Sequence, residues 1–125
     1  MITEGRSASI TLTVAESDTA VALGSGDVRV LGTPRVVAVC EEAAVAAVAG
    51  SLADGTTTVG SNVNLDHLVA TGVGGTVVAK ATVASVEGKK ITFVLEVTEG
   101  ETVIASGFHT RVVVNRQRFT ASVQS

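Results

Sequence analysis

GTPRVVAVCEEAAVAAVAG, residues 32–50, decides the fold. It reads as one helix, apolar nearly all the way round, opened by Thr33-Pro34 and closed by Gly50. Proline is tolerated in the first helical turn, where its missing N–H would have no partner anyway, and Thr33 before it is a candidate N-cap. A helix with apolar residues on every side has to be covered by the rest of the chain. Two adjacent acids, Glu41 and Glu42, interrupt that surface halfway along. A carboxylate in such a setting needs a partner or a task.

Working outward, the flanking sequence alternates with the period of half-buried strands. Upstream, Ile10, Leu12 and Val14 alternate with polar residues, residues 16–18 turn the chain, and residues 19–23 suggest a second short strand. Residues 24–27, Gly-Ser-Gly-Asp, are a flexible loop leading to the helix. Downstream, residues 56–68 form a strand in which Val59, Val63, Leu65 and His67 share a parity, with Gly60 marking a bulge or a close backbone approach. Residues 76–86, 91–98 and 102–115 follow as three long strands joined by tight turns, Glu87-Gly88-Lys89-Lys90 and Glu99-Gly100-Glu101. On the last strand Ile104, Phe108, Val112 and Val114 share one face, which leaves His109 and Arg111 on the other, outward one. The tail, residues 116–125, extends that strand or frays. One sheet with one helix across it is an α+β layer arrangement, and the last three strands should form an antiparallel meander.

Composition agrees. The 125 residues suit a single domain spanning 1–125, 46% are hydrophobic and 17% charged, and only 2% are aromatic. The core must therefore be built of Val, Ala, Leu and Ile, side chains that favour strands. The net charge of −3, without any run of Lys and Arg, argues against nucleic acid. No apolar run is long enough to span a bilayer and no leader is visible at the N-terminus, so a cytoplasmic protein is expected. Cys40 is the one cysteine, which fits a reducing compartment.

Four polar features have both an ordinary and a functional reading. One of Glu41 and Glu42 can lie on a narrow solvated stripe while the other is a partly buried general base; neither has an i±3 or i±4 partner of opposite charge. His67 at a strand end is ordinarily a satisfied residue and becomes a catalyst only beside a suitable partner. Thr33 ordinarily caps the helix. His109 and Arg111 on an outward face are either solvated or part of a subunit interface. Two distant histidines and one cysteine match no metal-ligand spacing, so neither metal nor cofactor is expected. Cys40 reads as packing.

Together these residues resemble the hot-dog fold, an antiparallel sheet wrapped around one long central helix, and within it the fluoroacetyl-CoA thioesterase-like family. That family has a Thr at the start of the central helix, a Glu eight residues later and a His twenty-six residues after the Glu; Thr33, Glu41 and His67 match in type and spacing. Its Gly on the strand before the His falls on Gly60, and its Arg after a His in the last strand falls on Arg111, within GFHTRVVV. VEGKKITF also resembles the family's hairpin. The likeness runs from Thr33 to the C-terminus.

The resemblance implies an acyl-CoA thioesterase with Thr33, Glu41 and His67 catalytic and Gly60 and Arg111 at the substrate, assembled as a homodimer or tetramer with the site at a subunit interface. A non-catalytic acyl-thioester binding module on the same fold is the alternative. Fluoroacetyl-selective members carry aromatic side chains in the segment before the helix; here that segment, residues 24–31, has none. A general acyl-CoA or another thioester is therefore expected. On one regular helix Thr33 and Glu41 would stand ~12 Å apart, so Thr33 acts on Glu41 only through water, through another chain, or with a helix that begins later.

Overall fold

A computed structural model describes residues 1–124. The strands are β1 (Ser7–Thr13), β2 (Thr56–His67), β3 (Thr76–Glu87), β4 (Lys90–Glu99) and β5 (Thr102–Asn115). The helices are α1 (Ala20–Leu23), α2 (Thr33–Ala47) and α3 (Arg116–Val123). The five strands make one antiparallel sheet in the order β1-β3-β4-β5-β2, and α2 lies mainly over β1 and β3. This is the hot-dog layout, with the expected β3-β4-β5 meander at its centre.

Small side chains make the close packing possible. Val36, Val39, Cys40, Ala43, Ala44 and Ala47 of α2 recur at helical spacing and are fully buried. They meet Val77, Ala79, Ala81 and Val83 of β3 and Ile91, Phe93, Leu95 and Val97 of β4, all buried by strict alternation. Alanines on both layers let the helix sit low on the sheet. The opposite side of α2 is less covered than its apolar sequence suggests: Val45 is 49% exposed. The helix C-terminus is closed from β1's side of the sheet, where Arg6 Nε donates to Ala47 O at 2.6 Å and Nη2 to Ala49 O at 2.8 Å. Burial, and after it the Glu41 charge, push the Cys40 thiol up to about 12, which leaves it an inert packing group.

Three local readings are corrected. Residues 19–23 are not a strand: Thr19 accepts a bond from Ala22 N at 3.2 Å and caps the short α1. Residues 116–123 neither extend β5 nor fray, because Asn115 turns the chain by accepting Arg118 N at 2.9 Å and α3 follows. Most consequential is β5, whose helix-facing side carries His109 and Arg111 and whose outer side carries Phe108, 55% exposed. The cause is a β-bulge. The register of β4 on β5 shifts between Val97 and Thr98, so Ile104 is an extra residue and parity reverses beyond it. Counted back from the Glu99↔Thr102 pair without the bulge, Phe93 would meet Phe108; with it, Phe93 pairs with His109 and Ile91 with Arg111.

Candidate active site

Gly60 lies where β2 breaks its own register. Gly60 pairs with Arg111 and Asn62 with Thr110, so Ser61 is the extra residue of a bulge. Val63, Leu65 and His67 beyond it face the helix, whereas Val59 before it shares the outer face with its partner Val112. Of the two meanings Gly60 carries in the sequence, a bulge or a close approach, the structure shows both; the shared parity of Val59 with the others does not survive the bulge.

A side chain at position 60 would press on three polar groups. A Cβ there would lie 2.7 Å from Glu41 Oε2, 3.2 Å from His109 Cε1 and 3.3 Å from Arg111 Nη1. These three groups form one cluster between α2, β2 and β5. Arg111 Nη1 donates to Glu41 Oε2 at 3.1 Å and to His109 Nε2 at 3.2 Å. Its Nε donates to Thr58 Oγ1 at 2.8 Å and its Nη2 to Thr58 O at 3.0 Å. Glu41 thus has a strong partner, one that comes from the sheet and not from its own helix. Among the described residues its Oε1 accepts no hydrogen bond, and 40% of the side chain is exposed. One carboxylate oxygen is anchored and the other is free.

His109 is wholly buried, and its ring state follows from its partners. Nδ1 lies 2.7 Å from Asn62 O, which can only accept, so Nδ1 carries the proton. Nε2 receives the Arg111 N–H and so carries none. Burial holds the ring below the ordinary histidine range; the Arg111 charge acts the same way, opposed by the Asn62 carbonyl and by Glu41. The 3.8 Å between His109 Nε2 and Glu41 Oε2 is therefore an approach of a neutral ring to a carboxylate, not an ion pair.

The second group sits at the other end of α2. Gly32, not Thr33, is the N-cap, and no side chain caps the helix. A Cβ at Gly32 would come within 2.9 Å of Leu23 Cδ1 and 3.1 Å of Ala20 Cα, so only glycine lets α1 pack there. Thr33 becomes the first helical residue and its hydroxyl is released from capping. It forms a 2.8 Å hydrogen bond with His67 Nδ1 instead. His67 Nε2 is buried and has no partner among the described residues. Both residues line a groove of about 240 Å³ whose apolar walls include Leu31, Leu68 and Val69.

Within one chain the two groups do not meet. Eight residues of helix separate Thr33 from Glu41, a rise of ~12 Å. Glu42 points elsewhere: its side chain is 51% exposed and approaches Arg35 at 3.7 Å, two turns back on the same helix, while Arg35 bonds Asp18 at 3.0 Å. His109, Thr58 and Asn62 were not identified from sequence as members of the site. The available signal was cross-strand: Phe93 and Ile91 are unmistakably inward, and their partners must be too. No group of three or more metal-ligating side chains occurs among the described residues, and none of their helices is long and apolar enough to cross a membrane.

The chain matches the family model for fluoroacetyl-CoA-specific thioesterase over residues 14–117. It is 34% identical to the fluoroacetyl-CoA thioesterase of Streptantibioticus cattleyicolor over 95 residues, 76% of this chain and 68% of that one. The crystal structure of the fluoroacetyl-CoA thioesterase FlK superposes with a TM-score of 0.92 at 28% identity, covering 98% of this chain and 96% of that one. A serine-for-threonine variant of FlK in complex with acetyl-CoA is equally similar, with a TM-score of 0.91 at 28% identity over 97% and 96% of the two chains. A thioesterase superfamily member from Thermus thermophilus gives a TM-score of 0.90 at 25% identity, covering 98% and 90%.

Proposed function

This chain belongs to the fluoroacetyl-CoA-specific thioesterase family, and on that footing we propose that Thr33, Glu41 and His67 hydrolyse acyl-CoA thioesters at a site shared by two copies of the chain. Its activity is that of a thioester hydrolase, releasing a free acid and CoA. The observation that carries the site assignment is the pair of incomplete groups on one edge strand. Glu41 reaches β2 at Gly60 with one free oxygen, and Thr33 reaches it at His67 with an unpartnered buried nitrogen.

Strand β2 is an edge of the sheet, and residues 60–64 are exposed. A long exposed edge invites pairing with a second copy. An antiparallel pairing of β2 with itself about a two-fold axis through Asn64, with Ser61 as the extra residue, sets Gly60 opposite His67 of the partner subunit. The Glu41 carboxylate of one protomer then faces the Thr33–His67 pair of the other, twice per dimer. This also covers the apolar side of α2 that one sheet leaves open. A tetramer would pair two such dimers.

The chemistry follows from the groups. The thioester carbonyl oxygen lies against a backbone N–H near Gly60, where the developing oxyanion is stabilised. Glu41 Oε1 takes a proton from water that attacks the carbonyl carbon, or attacks that carbon itself to give an anhydride that water then opens. The C–S bond breaks and His67 Nε2 supplies the proton to the leaving thiolate. Thr33 fixes the imidazole through Nδ1 and so decides which nitrogen faces the substrate. Arg111 acts on Glu41: four of its N–H groups are already committed to Thr58, His109 and the carboxylate. Without aromatic side chains in residues 24–31, the enzyme takes acyl-CoA substrates generally and does not select a fluorinated group. A cytoplasmic setting, where CoA thioesters and a free cysteine coexist, suits it.

Incubating the protein with a panel of acyl-CoAs and following free thiol tests the reading. Turnover that rises and falls with acyl length supports it and sets the chain length. Binding of acyl-CoA without thiol release from any member would leave a binding module.

A further inference from the structure

We infer that His109 is a positioning residue for the catalytic carboxylate: as the neutral imidazole protonated at Nδ1, it ties the β2 bulge to the Arg111 guanidinium and through it fixes Glu41. The inference rests on Glu41 being the group that does the chemistry.

A buried histidine with two hydrogen bonds has an ordinary structural reading. Four observations take it further. First, both bonds lead to the site and nowhere else. Nδ1–H donates to Asn62 O, immediately after the extra residue of the bulge, and Nε2 accepts from the same Arg111 nitrogen that holds Glu41. Secondly, the ring is wedged in place. Phe93 of β4 stacks on it with centroids 6.0 Å apart and planes 27° from parallel, and Gly60 leaves only 3.2 Å between its Cβ position and His109 Cε1. Thirdly, Arg111 Nη1 has two hydrogens, and His109 takes the one that Glu41 does not. Remove that acceptor and the guanidinium can turn about its Thr58 bonds, carrying the carboxylate with it. Fourthly, only one protonation state serves. An imidazolium would set Nε2–H against the Arg111 N–H and lose the acceptor. Glu41 from α2 and Arg111 from β5 are the charged groups that face the ring, while β2 and β4 offer it Asn62 O and Phe93.

Displacements on the order of 1 Å at a reacting group reduce rates by ~100-fold. Two variants and one spectrum test the idea. His109→Gln keeps an acceptor for Arg111 but alters the bond to Asn62, and His109→Leu removes both. With thiol release as the assay, kcat should fall ~10-fold in His109→Gln and ~100-fold in His109→Leu, with KM within about twofold in each. A kcat within twofold of wild type in either folded variant overturns the proposal. Should His109→Leu not fold, the Gln variant and the wild-type spectrum decide. ¹⁵N NMR of the wild-type ring, assigned by comparison with His67→Ala, should give a protonated Nδ1 and a bare Nε2 at pH 7. A proton on Nε2 overturns it. Glu41→Gln measured alongside separates the two levels. If it retains the rate, the carboxylate assignment has failed; if it is inactive while His109→Gln is normal, only the role of His109 has.

Discussion

Thr33 Oγ1 and His67 Nδ1 are 2.8 Å apart, although 34 residues separate them in the chain. The contact exists because the capping position belongs to Gly32, which moves Thr33 one place into the helix and turns its hydroxyl towards the end of β2. It leaves His67 with one satisfied nitrogen and one, Nε2, without a partner among the described residues.

Thr33 therefore separates stability from activity. Loss of an N-cap side chain costs about 1 kcal/mol, and this threonine does not cap. Thr33→Val should unfold within roughly 0.5 kcal/mol of wild type in urea, the range of a substitution that breaks no structural feature. Its kcat should fall at least ~10-fold, while Thr33→Ser stays within a few-fold. A Val variant as active as the Ser variant would remove the hydroxyl from the mechanism.

The two adjacent acids should behave as opposites. Glu41 is held by Arg111 with one oxygen free, whereas Glu42 is half in solvent near Arg35. Glu41→Gln should lose on the order of 10²–10⁴ in kcat, the range of a general base. Glu42→Gln should keep activity within about twofold, since an exposed pair contributes at most ~1 kcal/mol. Inactivation by the second change and not the first would reverse the assignment.

Gly60→Ala should be folded and slow. The new methyl would meet Glu41 Oε2 at 2.7 Å, and a carboxylate at the end of a flexible side chain can move aside. The adjustment spares the core but shifts the carboxylate, the free Oε1 with it, for which ~100-fold in kcat is the expected scale. Thermal unfolding near the wild-type temperature together with a large kcat defect would match this. A normal kcat would mean that Glu41 need not stand where it does.

How much of this could be read from the chain turns on one single-residue insertion and one helix cap. Strand β4, and β3 as far as Val83, were legible because alternation is uninterrupted there; only beyond Val83 does a bulge shift β3 on β4. Thr33, Glu41, His67, Gly60 and Arg111 were singled out through the family resemblance, and the structure brings Thr33 to His67 and gathers Glu41, Gly60 and Arg111. The surroundings of Glu41 were not, because Ile104 reverses the parity of β5 and Ile104 itself is buried, so it looks like an ordinary inward residue. Reading alternation from Ile104 sends His109 and Arg111 outward. Pairing β5 against the inward Phe93 sends them to Glu41. The capping of α2 was misread for a related reason: glycine is a poorer cap than threonine by propensity, but the packing of α1 on Gly32 overrides it.

His109 should leave a signature in the pH dependence of stability. Its folded pKa lies below 6.5, the value for an unhindered histidine, because burial disfavours the charged ring. As pH falls through about 6.5, the unfolded chain takes up a proton that the folded one refuses, and the folded state loses stability until the lowered pKa is passed. Urea midpoints measured from pH 7.5 to pH 5 should fall more steeply for wild type than for His109→Gln. Parallel curves would place the ring's titration elsewhere.

The proposed sharing of the site between two chains makes a prediction that no single-chain arrangement can imitate. Glu41→Gln and His67→Ala should each be nearly inactive alone. Mix them under conditions that exchange subunits, and half of the dimers contain one chain of each kind. In such a dimer one site takes Glu41 from the His67→Ala chain and His67 from the Glu41→Gln chain, and is intact; the other site carries both defects. Random exchange should therefore restore about a quarter of wild-type activity per chain. The restored fraction should vanish when β2 pairing is blocked by Val63→Pro, which removes an edge N–H and disfavours strand addition. Sites contained in one protomer would show no recovery at any mixing ratio. Sedimentation of the wild type as a monomer at assay concentration would dispose of the shared site outright, because Gly60 and His67 would then have nothing to bring them together.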